Sequence, residues 1–392
     1  MRVLASVVSF AFLFISAFDP QIPLLPNGVG FTLLSTIILL PFGYVKCCAT
    51  SSNSRYFLYR SFPFFVIFNI ALLFILARIL MNGGENFPFL LSFVKAFFVF
   101  LSCLLVYLVF FADKEPELFV KFLIGVYVSN AVINFIAGTH PDVFEFLEMF
   151  RGASISDRLG SNPYRDSFLS GSGYYSIGTA YGLMIILFCF YLARAKSKSL
   201  VYTVSVGLIS IAGFVAARTA FFGISAGFIY LFHKRFGYFL LSFLVLVLAT
   251  YFFLSLPAIE PYRIWLLSFF RFMGSASGAH LVNEMYFYPG DKVLLFGFGS
   301  VNDGRFPYTD AGFMQDIIFG GILFLLVKMS FIAVFFFSLF KKYPFLVILV
   351  VLSVMAFHFK GLFIYNNAHG MAAFYFIFFV LHSFRVKDGK KF

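Results

Sequence analysis

Charge is what this chain has least of. Asp, Glu, Lys and Arg make up 12% of its 392 residues, against roughly 25% in soluble domains. That scarcity excludes a soluble domain of any size, and the longest stretch between strongly apolar segments is about fifty residues. Cysteine is scarce too. Cys47, Cys48, Cys103 and Cys189 fall in or beside apolar segments, which excludes a disulfide or metal framework. Soluble-enzyme motifs are absent: there is no HExxH, no CxxC and no phosphate-cradling glycine loop ahead of a helix. The six histidines (His140, His233, His280, His358, His369 and His382) are scattered without metal-ligand spacing. No metal and no cofactor is expected. There is no internal repeat and no low-complexity region.

What the chain has instead is hydrophobicity. Apolar residues make up 61%, and Phe alone fills 64 positions. The expected fold is all-α, a polytopic membrane protein forming one transmembrane domain over 1–392. Twelve apolar segments are read at about 3–18, 28–45, 61–80, 89–111, 118–138, 173–192, 199–217, 219–232, 236–256, 310–340, 343–359 and 367–384. The start, Arg2 followed by Val3 to Phe18, resembles a signal h-region. It lacks a small-x-small cleavage site, so an uncleaved anchor is expected.

The net charge of +12 does not point to nucleic acid, because most of the cations sit in short loops. With Arg2 inside, the inner loops collect Lys46, Arg55, Lys114, Arg194, Lys234, Arg235, Lys341, Lys342, Arg385 and Lys387, the positive-inside pattern. Both termini are then cytoplasmic. Two long loops, 139–172 and 257–309, fall outside.

Outer basic residues are mostly Arg: Arg151, Arg158, Arg165, Arg263, Arg271 and Arg305. Arg is a planar fork suited to phosphate, whereas Lys suffices for topology. Local pairing is the alternative, since Asp157-Arg158 and Arg165-Asp166 are adjacent opposite charges. Within 257–309, residues 261–273 read as an amphipathic helix. Trp265, Leu266, Phe269, Phe272 and Met273 share one face, with Arg263 and Arg271 on the other.

Three constellations could carry chemistry. Arg218 interrupts a 34-residue apolar run from Ser199 to Phe232. One helix of that length would span roughly 51 Å, beyond a roughly 30 Å hydrocarbon core. Two short helices meeting at Arg218-Thr219 fit, and a helix N-terminus beside an arginine suits a diphosphate. Snorkelling to the surface is the other reading. Next come Gly297-Phe298-Gly299, Asp310-Ala311-Gly312 and Gly320-Gly321. Asp310 is read there as a helix N-cap or an active carboxylate, and Asp316 as a second carboxylate facing the same cavity. Last, Asn162-Pro163-Tyr164-Arg165-Asp166 has a composition that suits sugar or phosphate.

On these residues the chain resembles the Wzy-type polysaccharide polymerases, relatives of the O-antigen ligases. The family's arginine-Ser/Thr-small-aromatic pattern corresponds to Arg218-Thr219-Ala220-Phe221. Its Gly-x-Gly, Asp-x-Gly and helix glycine correspond to Gly297-Phe298-Gly299, Asp310-Ala311-Gly312 and Gly320. Ligases carry a His-Asn type pair, nine residues, then Gly. Here Thr309-Asp310, nine residues and Gly320 stand instead, and the missing histidine favours polymerase over ligase.

The resemblance implies a GT-C-like architecture of about twelve spans in the bacterial inner membrane. It implies metal-independent glycosyl transfer on the periplasmic face, for O-antigen lipopolysaccharide or capsule. The partners implied are an undecaprenyl-diphosphate-linked oligosaccharide, the bilayer and a chain-length regulator. Arg218 and Asp310 are the expected catalytic pair. Arg158, Tyr164, Arg165, Arg263, Arg271 and Arg305 are the expected substrate-binding set. The competing reading is a twelve-span lipid-linked sugar flippase or transporter, kept open by the charges within spans, Arg78, Lys95, Asp316 and Lys328.

Overall fold

The computed structural model of the chain describes residues 2–22, 30–48, 52–81, 87–150, 174–194, 200–255, 283–301 and 304–389. Helices dominate; one isolated bridge pairs Gln21 with Gly30. In chain order they are α1 (Arg2–Phe18), α2 (Phe31–Cys48), α3 (Ser52–Met81), α4 (Phe87–Val106) and α5 (Pro116–Thr139). Then follow α6 (Pro141–Glu148), α7 (Tyr174–Arg194), α8 (Leu200–Ala216), α9 (Ala220–Lys234) and α10 (Phe236–Ser255). The last four are α11 (Asp291–Phe296), α12 (Gly312–Leu339), α13 (Pro344–Lys360) and α14 (Ala368–Gly389). A π-helical turn, Tyr107–Phe111, extends α4.

Each of the twelve apolar segments overlaps one of these helices. Among the described residues seven helices are long and apolar enough to cross a membrane, and the chain is a polytopic, helical membrane protein. Large apolar side chains such as Leu73, Leu80 and Phe337 are highly exposed, as lipid-facing residues are. Proline at the first positions of α5 and α13 starts those helices where no N–H is needed. The third segment is longer than its hydropathy, beginning at Ser52 rather than near 61.

The described chain forms two compact units. The first holds Met1–Leu58, Phe98–Pro261 and Ala368–Phe392, and the second Tyr59–Phe97 and Tyr262–Asn367. The chain passes between them within α3 and within α4.

In the first unit α7 and α14 are buried along almost their whole length. Apolar faces gain little by meeting each other in lipid, so close backbone approach has to hold such helices together. The sequence supplies it. Gly178 and Gly182 on α7, and Gly223 and Gly227 on α9, are both four-residue glycine spacings. A Cβ on Gly223 would collide with the backbone of Gly182, and one on Gly178 with Ala217. Ion pairs bind one end of this unit: Lys46–Asp113 at 3.1 Å, Arg194–Asp388 at 3.0 Å, and Lys387 with Glu115 and Glu117. These residues therefore share one end of the bundle.

In the second unit α12 is broken. Gly321 has φ 70° and ψ −170° inside it, a conformation open to glycine and strained for other residues. Phe64, Phe68, Phe93, Phe331 and Tyr365 form the aromatic core beside the break, with Phe64 and Phe331 centroids 4.5 Å apart.

Candidate functional site

Arg218 lies where the apolar run required a turn. α8 ends at Ala216, residues 217–219 turn, and α9 begins at Ala220. Ala217 seats the turn on Gly178 of α7, so the glycine packing of the unit sets its position. Arg218 is half-buried. The turn differs from the expected anion nest in one respect. Its amides fold back: Ala220 N–H donates to the Ala217 carbonyl at 2.9 Å, Phe221 to Arg218 at 3.1 Å and Phe222 to Thr219 at 3.2 Å. Those tight bonds occupy the donors a free helix end would offer. Beside the Arg218 side chain lies the Thr219 hydroxyl, whose Oγ1 is buried with no hydrogen-bond partner among the described residues.

The carboxyl-terminal halves of α5, α8 and α10 enclose an apolar groove of about 260 Å³, lined by Val132, Phe135, Ile211, Val215 and Phe252 among others. Arg218 follows three residues after Val215, so both belong to one end of the first unit. One lining residue is polar: the buried Asn134, whose Oδ1 accepts no hydrogen bond among the described residues.

In the second unit the glycine motifs come together. Gly297 packs against Gly320, and Gly321 against Leu295 and Gly297. Phe298 N–H donates to the Ile318 carbonyl at 2.6 Å and Gly299 N–H to Phe319 at 2.8 Å. The strand-like loop after α11 thus bonds the last carbonyls before the break, which have lost their helical partners. Gly312 meets the carbonyls of His358 and Gly361 at the end of α13. Side chains would prevent each of these approaches.

This scaffold presents Arg305, Tyr308 and Asp310 outward, all exposed. The Arg305 guanidinium lies over the Phe298 ring at 4.6 Å, and the Tyr308 hydroxyl donates to Asp310 Oδ1 at 2.5 Å. Of the two readings of Asp310, N-cap or active carboxylate, the N-cap does not hold. The cap position is Ala311, and Thr309 does the local bonding. Its Oγ1 accepts from Ala311 N–H at 3.1 Å and donates to Met285, while its carbonyl accepts from Gln315. Nearby, the Tyr286 hydroxyl donates to the Phe359 carbonyl at 2.7 Å, and burial pushes that phenol upward. The Tyr288 phenol is also raised, by its hydrogen bond to Asp291.

One turn into α12 lies a cluster that hydropathy alone concealed. Asp316, Lys328 and His358 are fully buried. Lys328 Nζ donates to Asp316 Oδ1 at 2.6 Å and to Asn366 Oδ1 at 3.3 Å. Phe363 N–H donates to His358 Nδ1 at 3.2 Å. That fixes the ring proton on Nε2, which donates to Asp316 Oδ2 at 2.9 Å. Both carboxylate oxygens are therefore used. The rings of Phe89, Phe324 and Tyr365 stand 5.2–5.9 Å from the ammonium, adding cation–π stabilisation. Two of the within-span charges thus satisfy each other. Asp316 faces this cluster, not an open cavity with Asp310.

Of the remaining expected site residues, Arg158, Tyr164, Arg165, Arg263 and Arg271, and the helix expected at 261–273, lie outside the described residues. Compared with protein-family models, with curated proteins and with solved structures, the chain matches none.

Proposed function

We propose that the protein is a polysaccharide polymerase of the inner membrane, with about twelve spans and both termini cytoplasmic. It joins undecaprenyl-diphosphate-linked repeat units on the periplasmic face by metal-independent glycosyl transfer. The observation that carries this reading is the convergence in the second unit. Gly297–Gly299, Asp310–Gly312 and Gly320–Gly321 are the segments on which the family resemblance rests; the first and last are packed on one another, and Phe298 packs against the apolar cluster that holds Ala311. They carry Arg305, Tyr308 and Asp310 on their outer side.

The chemistry needs a cation for the departing diphosphate and a base for the acceptor hydroxyl. Arg218 fits the first, beside a Thr219 hydroxyl that has no hydrogen-bond partner among the described residues and that a phosphate oxygen would satisfy. Asp310, held by Tyr308, fits the second. The apolar groove beyond Val215 suits a polyprenyl tail. Two of the four within-span charges that favour the transporter reading, Asp316 and Lys328, are paired with each other inside the protein, which weakens that reading.

The test is reconstitution. Purified protein in liposomes, supplied with lipid-linked repeat units on the Arg218 side, should yield chains longer than one unit. Arg218→Ala should yield none while inserting normally. Movement of lipid-linked units between leaflets without elongation would replace polymerase by flippase.

A further inference from the structure

Arg78 lies in the second unit, close to the end of α3 at Met81. It follows Phe74 by four residues and Ile75 by three, so it shares their face of the helix. That face is the inner one: Ile75 and Ile79 are buried, while Leu73 and Leu80 are exposed. Phe74 stacks on Phe324 with centroids 5.3 Å apart, and its ring would crowd a Cβ placed on Gly320. Helical side chains lean toward the preceding turn. The Arg78 guanidinium is thereby carried back toward Phe74, on the side of α3 that packs on the helix break.

Its Nε and Nη2 are buried and have no hydrogen-bond partner among the described residues. These two nitrogens form one edge of the guanidinium, with parallel N–H bonds, the edge that receives an oxyanion bidentately. Arginine does not shed its charge. A half-buried cation in a membrane helix with an empty fork needs an anion, and at the end of a span the anions at hand are lipid phosphates. We infer that Arg78 is a phosphate-binding residue for a membrane lipid, separate from Arg218. Under the polymerase reading, on which this assignment rests, the reaction joins two diphosphate-linked molecules and requires a second diphosphate site. Arg78 supplies it.

The experiment is binding to the purified full-length protein in nanodiscs, with farnesyl diphosphate and inorganic pyrophosphate as separate probes. Farnesyl diphosphate should occupy two classes of site. Arg78→Gln should remove one and leave the other, and Arg78→Gln with Arg218→Gln should remove both. Arg78→Lys keeps the charge without the fork, so affinity at that site should fall by about ten-fold or more. Ligand-free thermal stability of Arg78→Gln should stay equal or rise, because no internal partner is lost; a fall would show a structural role and overturn the assignment. Unchanged farnesyl diphosphate binding in Arg78→Gln would show an arginine that merely snorkels. Equal binding of pyrophosphate at this site would replace the lipid by a free anion. If Arg78→Gln loses its site but wild type forms no polymer, the lipid site stands and the polymerase reading falls.

Discussion

Asp310 shows how little a residue's type says until its partners are known. An aspartate just ahead of a helix reads as a cap, yet Thr309 and Ala311 perform that role and leave the carboxylate outside with Tyr308. Its job can therefore be separated from folding. Asp310→Asn keeps an oxygen to accept the Tyr308 hydroxyl but loses the basic carboxylate. Elongation should fall about a hundred-fold or more, the scale of a lost general base, with unchanged protein in the membrane. Tyr308→Phe should cost far less. Full elongation by Asp310→Asn, measured with lipid-linked repeat units in liposomes, would move the base elsewhere. The histidines show the converse. His358 looked like an isolated residue near a helix end, and no spacing in the sequence ties it to Asp316, 42 positions away.

At the scale of elements, apolar runs located the helices because bilayer thickness and helix rise leave few choices. Arg218 marked its turn because one helix could not hold the run. The break in α12 was not legible in the same way. Hydropathy passes smoothly over Gly320-Gly321, and only the φ of Gly321 and the backbone packed against it reveal the change of path. The break also decides which charges meet. Twelve residues of continuous helix would hold Asp316 and Lys328 about 18 Å apart along the axis and roughly a third of a turn out of line. Their 2.6 Å bond exists because α12 is interrupted between them. The pair therefore tethers the two halves. Asp316→Leu should strand a buried ammonium and cost roughly 3–5 kcal/mol, and Asp316→Leu with Lys328→Met should recover most of that loss. Thermal unfolding in detergent measures both. A double-variant loss equal to the sum of the Asp316→Leu and Lys328→Met losses would mean that the charges are not coupled and the glycine contacts alone hold the break.

For the whole molecule, the distribution of charge sets the expected sidedness. The ion pairs at one end of the first unit, Lys46–Asp113, Arg194–Asp388 and Lys387 with Glu115 and Glu117, link residues that the charge bias assigns to the cytoplasm. Arg218 belongs to a turn between α8 and α9. α8 begins just after Arg194 and runs its full length before reaching that turn, so Arg218 is at the opposite end from the Arg194–Asp388 pair. A membrane excludes charge from its middle, so the two ends should face different compartments. The charge bias predicts that the turn holding Arg218 faces outward. Single cysteines at Ser161 and Ser277, in a chain whose native cysteines are replaced by serine, should react with a membrane-impermeant thiol reagent in intact spheroplasts. A cysteine at Ser197 should react only after the membrane is opened. The reverse pattern would place Arg218 and both loops in the cytoplasm. Elongation there would have to occur before the lipid-linked units cross the membrane, and the periplasmic polymerase proposed here would be wrong however well its motifs pack.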